Sequence, residues 1–139
     1  MATNFKGSCL CGAVRYECNA EPLFMGNCHC RDCQKATGAA YDPCIGVPAA
    51  ALKVTGAVKY HDTKADSGNT LSRGFCPECG SRLFAKTSAM PALGMITAAT
   101  LDDPSQYKPS MDIFTSSAQP WDHMNPALPK FPKMPPMGG

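Results

Sequence analysis

A mainly β fold is predicted by two features of this sequence: 13 prolines and 12 glycines spread over 139 residues, and short runs in which apolar and polar residues alternate. Proline removes a backbone donor and glycine loosens the chain, so both interrupt long helices and supply turns. Strict alternation is the two-residue period of a half-buried strand. The hydrophobic fraction of 44% is ordinary for a globular chain, and 139 residues suit one domain with its own core.

Residues 12–18, GAVRYEC, set Val14, Tyr16 and Cys18 against Ala13, Arg15 and Glu17, which predicts a strand with one buried face. Leu23 to Gly26 continues the sheet. Arg31 to Gly38 is polar and short, suited to one or two helical turns ended by Gly38. Tyr41 to Val47, Leu52 to Thr55 and Val58 to His61 are further strands, broken by Pro48 and Gly56. The polar stretch Thr63 to Asn69, TKADSGN, is expected as an exposed loop. Thr70 to Phe75, Arg82 to Lys86, Gly94 to Ala98 and Met111 to Thr115 complete the strands, the last two separated by the turn-rich DDPSQ. Short strands with frequent turn signals suit a sandwich or open barrel. From Pro120 to Gly139 there are six prolines in twenty residues, so an extended arm (120–139) without regular structure is expected beside a domain of residues 1–119. Trp121 is the candidate to pin that arm, and beyond Phe131 fraying is the alternative.

Thirteen basic and eleven acidic side chains give a formal charge of +2, too weak a field to hold nucleic acid. Metal held by thiolates would bring even that below zero. The N-terminal MATNFKGSCLCG has no apolar signal region, and no window approaches the roughly 20 apolar residues of a membrane span, so no membrane partner and a cytoplasmic location are expected. Nine cysteines, an odd number, in a reducing compartment point to metal ligation rather than disulfides.

Cys9-Leu10-Cys11-Gly12 and Cys76-Pro77-Glu78-Cys79-Gly80 each place two thiols at a reversal closed by glycine. A turn around a metal often needs positive φ, which glycine adopts without a Cβ clash, leaving its N–H to face a ligand sulfur. Two such halves make a tetrahedral Cys₄ zinc site with Zn–S near ~2.3 Å. Closing the chain from Cys11 to Cys76 is worth roughly 4 kcal/mol in the loop-entropy picture. Zinc binding itself reaches about 10–16 kcal/mol, so metal at this site is expected to decide folding.

Cys28-His29-Cys30-Arg31-Asp32-Cys33 packs three thiols into six residues. Three ligands from one short segment cap one face of a metal and leave a fourth position open, as catalytic zinc requires. His29 is the competing fourth ligand, although between two ligating neighbours it is expected to point away. An iron–sulfur set completed by Cys44, and a reduced redox cluster that holds metal only loosely, remain alternatives.

The runs GSCLCGAVRYE, NCHCRDCQKATG, SGNTLSRGFCPECGSRLF and IFTSSAQPWDHMNPALPKF together resemble the glutathione-dependent formaldehyde-activating enzyme (Gfa) family, which also includes centromere protein V. The resemblance covers residues 5 to about 131. It implies a zinc-stabilised β-tent with short helical turns, a structural zinc on Cys9, Cys11, Cys76 and Cys79, and a more labile zinc on Cys28, Cys30 and Cys33. The activity it implies is that of a carbon–sulfur lyase joining formaldehyde to glutathione as S-hydroxymethylglutathione, or the reverse. One departure concerns substrate identity: Gln34 stands where many relatives carry arginine.

Such chemistry needs a cation for the carboxylates of a glutathione-like thiol. Arg73, Lys64, Ser67 and Gly68 of the polar loop, and Arg31, are the candidates, each set against an ordinary surface role. Cys18 is read as core, Cys44 as buried rather than ligating, and His61 and His123 receive no function. The expected function is thus a zinc-dependent lyase acting on a thiol adduct of a small aldehyde, with a low-molecular-weight thiol as partner and a homodimer as an allowed assembly. The alternative is a zinc-stabilised binding module whose second cluster is vestigial or regulatory.

Overall fold

The computed structural model describes residues 3–65 and 67–135. The fold is mainly β, with two sheets. Strands β1 (Asn4–Ser8), β2 (Arg15–Asn19) and β5 (Leu52–Thr55) form a three-stranded antiparallel sheet in the order β1-β2-β5. The larger sheet uses β3 (Phe24–Cys28), β4 (Asp42–Pro48), β6 (Lys59–Lys64), β7 (Thr70–Phe75), β8 (Arg82–Thr87), β9 (Leu93–Thr97), β10 (Met111–Ile113) and β11 (Lys130–Phe131). Its order is β11-β10-β3-β4-β9-β8-β7-β6, parallel at the β11–β10–β3 end and antiparallel elsewhere. One helix, α1 (Arg31–Thr37), follows β3.

Alternation places the core where the sequence predicts it. Val14, Tyr16 and Cys18 are buried, whereas Ala13, Arg15 and Glu17 are exposed. Across the larger sheet the register sets Ile45 opposite Ile96 and Ile96 opposite Phe84, so these side chains share one face. That face packs with Phe5, Tyr16 and Cys18 of the smaller sheet and with Val14 just before β2, and Tyr16 meets Phe84 edge-on at 5.3 Å between ring centroids. The other face of the larger sheet carries Cys28 of the second cysteine group and the residues beside it.

Several expectations need correction. Strand β1 carries no alternating signal long enough to read, and forms because β2 offers it an edge. Strand β6 runs on through Thr63 and Lys64, taking two residues from the expected loop; its residues are nearly all exposed, so no hydrophobic period marks it. The arm contributes β11, a two-residue parallel addition to β10, and its chain stays bonded past Phe131, with Phe114 N–H donating to the Lys133 carbonyl at 3.3 Å. Trp121 is 61% exposed and does not pin the arm. Asp66 of the expected loop and residues 136–139 of the arm lie outside the described residues. Among the described residues no helix is long and apolar enough to cross a membrane.

Candidate metal centres

Cys9 and Cys11 follow β1, and Cys76 and Cys79 follow β7; their four sulfurs lie within 4.8 Å of one another. Cys9 Sγ is 3.6 Å from Cys11 Sγ, which is 3.8 Å from Cys76 Sγ. A tetrahedron with metal–sulfur bonds of ~2.3 Å has edges of ~3.8 Å, so this donor set suits Zn²⁺. Gly12 and Gly80 close the two reversals at φ 80° and 78°. Beta carbons there would meet no atom nearer than 3.8 Å, so backbone conformation and not space requires glycine. Their N–H groups do not face sulfur as expected: they donate to the Cys9 and Cys76 carbonyls at 3.2 and 2.8 Å, and the Val14 N–H meets Cys9 Sγ instead, at 3.3 Å.

Cys79 and Cys11 hold their protons unequally. Hydrogen bonds from the Ser81 side chain and backbone hold Cys79 down to about 5. The Ala13 backbone N–H favours the Cys11 thiolate, but Cys9, burial and the other thiols push Cys11 up to about 12. A divalent ion would replace those remaining protons.

The second group is built on a strand end and a helix start. Cys28 ends β3, Cys30 is the N-cap of α1 and Cys33 lies in its first turn, with the three sulfurs within 4.8 Å of one another. Cys30 Sγ accepts the Cys33 N–H at 3.2 Å, a thiol doing what a serine hydroxyl does at a helix start. Gly38 in the left-handed conformation ends the helix as predicted. The Cys28 and Cys33 thiols, aided by the Cys33 N–H and by Arg73, hold Cys30 down to about 2 against burial. Cys28 is pushed far up by Cys30, Cys33 and burial; Cys33 is favoured by Cys28 but raised to about 12 by Cys30 and burial. Three soft donors from one segment fit Zn²⁺ and present it from one side. His29 is no part of this set: its ring points away and is bonded to Asp112 and Asp122.

Register brings a polar wall to the same sheet face. Asp42 is directly opposite Cys28, Cys44 opposite Thr97, and the row Met95, Ala85, Arg73 continues across β9, β8 and β7. Asp42 is 3% and Arg73 7% exposed. Arg82 Nη2 pairs with Asp42 Oδ2 at 3.0 Å, and Arg73 Nη1 donates to Thr63 Oγ1 at 3.0 Å. Arg73 Nε, Arg82 Nη1 and Asp42 Oδ1 are buried without a partner among the described residues. Burial pushes the Asp42 carboxyl up, opposed by Arg82 and Arg73. Arg82 is matched by Asp42, and the charge of Arg73 bears on Cys30, whose thiolate it favours.

Of the other sequence candidates, Lys64, Ser67 and Gly68 are exposed at the β6–β7 hairpin tip and bond within it: Lys64 Nζ to the Gly68 carbonyl at 3.5 Å, Ser67 Oγ to Asn69 at 3.0 Å. Arg31 is exposed and donates to Gln34 Oε1 at 2.5 Å. Gln34 is buried, its Nε2 donating to the His29 carbonyl at 2.7 Å and the Ser117 carbonyl at 3.0 Å. Cys18 and Cys44 are buried and lie outside both sulfur groups. Sequence reasoning missed Asp42 and Arg82, whose only signal was a charge at the start of each strand.

A family model described as glutathione-dependent formaldehyde-activating enzyme matches residues 4–117. A crystal structure of a Rhodobacter sphaeroides protein is similar at a TM-score of 0.56 and 20% identity, covering 91% of this chain and 98% of that one, a likeness of fold. No curated protein matches the chain.

Proposed function

The chain belongs to the glutathione-dependent formaldehyde-activating enzyme family, matching its model over residues 4–117, and from that membership we propose that it is a zinc-dependent carbon–sulfur lyase acting on a thiol adduct of a small aldehyde, with glutathione or a similar thiol as co-substrate. The observation that carries the proposal is the Cys28, Cys30, Cys33 trio, three converging sulfurs supplied by one short segment, beside a buried and incompletely bonded Arg73.

When bound, Zn²⁺ would supply the Lewis acidity that keeps an incoming sulfur deprotonated. A thiol of pKa ~8.5 is only a few per cent ionised at pH 7, so complete ionisation is worth at most about thirty-fold. Lower basicity takes part of that back, with a Brønsted slope of ~0.4–0.5. Positioning must therefore provide the larger share, where effective molarities of about 10⁵ M are attainable. In this reading Arg73 holds a carboxylate of the thiol, the Arg82–Asp42 pair keeps the wall rigid, and Lys64, Ser67, Gly68 and Arg31 serve only if the hairpin tip or helix start closes over the ligand.

Metal analysis with and without glutathione, paired with turnover of glutathione and formaldehyde, tests this reading. Two zinc ions per chain, one responding to glutathione, and loss of that zinc and of turnover in Cys30→Ser with the fold retained, are the expected results. One tightly held zinc with no thiol response favours a zinc-stabilised binding module.

A further inference from the structure

A group of buried charged side chains beside the trio is not used by the thiol chemistry. His29, between Cys28 and Cys30, is 0% exposed. Its Nε2 is hydrogen-bonded to Asp112 Oδ1 at 2.9 Å and its Nδ1 to Asp122 Oδ2, and both carboxyl side chains are 1% exposed. Both ring nitrogens are therefore engaged by carboxyl groups, and neither is left for a metal. Asp112, on β10, also receives Lys130 Nζ of β11 at 3.0 Å and Asn27 Nδ2 at 3.2 Å. Asp122 comes from the arm, 93 residues along the chain from His29.

A second tie grips the other end of the trio. Gln34, the residue after Cys33, donates from Nε2 to the Ser117 carbonyl at 3.0 Å and to the His29 carbonyl at 2.7 Å. The thiol-bearing segment is thus held on both sides by residues 112–122, and β11 braces Asp112 in turn.

We propose that Asp122 and Asp112 are positioning residues for the trio: docking of the C-terminal segment onto His29 holds Cys28 and Cys30 in their ligating arrangement, so that arm docking and metal binding at the trio are coupled. The reason is geometric. Cys28 ends a strand and Cys30 starts a helix, so the residue between them sets how the two thiols converge. A ring bonded at both nitrogens cannot turn without breaking two buried hydrogen bonds and leaving the Asp122 carboxyl with no partner among the described residues. Coupling of this kind is reciprocal: whatever the arm contributes to metal affinity, the metal returns to arm docking. Asp122 Oδ1 is buried without a partner among the described residues, which suits a group retained for placement more than for fold stability. The proposal needs the trio to bind metal, and not that a thiol or an aldehyde reacts there.

The test uses full-length protein and Zn²⁺ as the probe. Competition with a chromophoric chelator should show Asp122→Ala weakening the second zinc at least tenfold while the first stays bound, and Asp122→Asn, which keeps an acceptor, weakening it less. Unchanged affinity of the second zinc in Asp122→Ala would overturn the proposal. A measurement on the unaltered chain needs no variant to fold: Trp121, the single tryptophan and the neighbour of Asp122, should change its emission as the second zinc is titrated in, with the same midpoint. Emission that stays flat through that titration, or a chain that takes up no second zinc, overturns it.

Discussion

Arg82 Nη2 lies 3.0 Å from Asp42 Oδ2, and this largely buried pair occupies Asp42, leaving Arg73 on the sheet face that carries the trio with Nη1 bonded to the Thr63 hydroxyl and Nε without a partner among the described residues. The pair spans from β8 to β4, past the intervening β9, at the β4 residue that faces Cys28. A buried guanidinium with an unfilled donor favours a ligand that brings an acceptor, a carboxylate above all.

Arg73→Ala should therefore weaken binding of carboxylate-bearing thiols several-fold while zinc content stays the same. Titrating the zinc-loaded protein with mercaptoacetate and with 2-mercaptoethanol separates the effect, because only the first carries a carboxylate. Equal losses for both, or none for either, would remove Arg73 from a carboxylate role.

Stripping the Cys9, Cys11, Cys76, Cys79 site should unfold the protein cooperatively. These four sulfurs join the ends of β1 and β7, one from each sheet, and structural zinc binding of about 10–16 kcal/mol is as large as the whole stability of an ordinary domain. Circular dichroism during chelation should show one transition. A melting curve that survives complete zinc removal would contradict the assignment.

Alkaline destabilisation should be traceable to Tyr16. Burial pushes its hydroxyl from 10.0 up to about 12, with Thr100 Oγ1 opposing at 2.8 Å. Between those values the unfolded chain has lost the proton and the folded chain keeps it, so stability falls as pH rises, by about 1.4 kcal/mol per pH unit. Below pH 10 this contribution is fully present. Denaturant titrations from pH 9 to 12 should show a shallower fall for Tyr16→Phe than for the unaltered chain.

Gly56→Ala should destabilise by about 2–3 kcal/mol. Gly56 links β5 of the smaller sheet to β6 of the larger at φ 100°, and a Cβ there would lie 2.1 Å from the Ala13 carbonyl oxygen. Both faults sit in backbone, so no side chain can move aside. Gly68→Ala is the control: φ is also positive, at 88°, but no atom lies within 4 Å of the added carbon, and the loss should be smaller.

Much of this was readable along the chain because the relevant physics is local. Alternation at Val14, Tyr16 and Cys18 marks a strand face whatever the rest of the fold does, Gly38 ends its helix from its own backbone freedom, and paired cysteines two or three residues apart converge through the turn between them. Strand β6 extends past the expected strand because an exposed edge has no apolar period, and the contact with the body expected of Trp121 is made by its neighbour Asp122. What lines the trio depends on which residues of distant strands share its sheet face. A slip of one residue in any ladder would turn Asp42 or Arg73 to the opposite side, and no short window records the pairing that prevents it. The cysteine pattern thus marks where metal is expected to bind, whereas packing of two sheets and an arm determines which charges stand beside it.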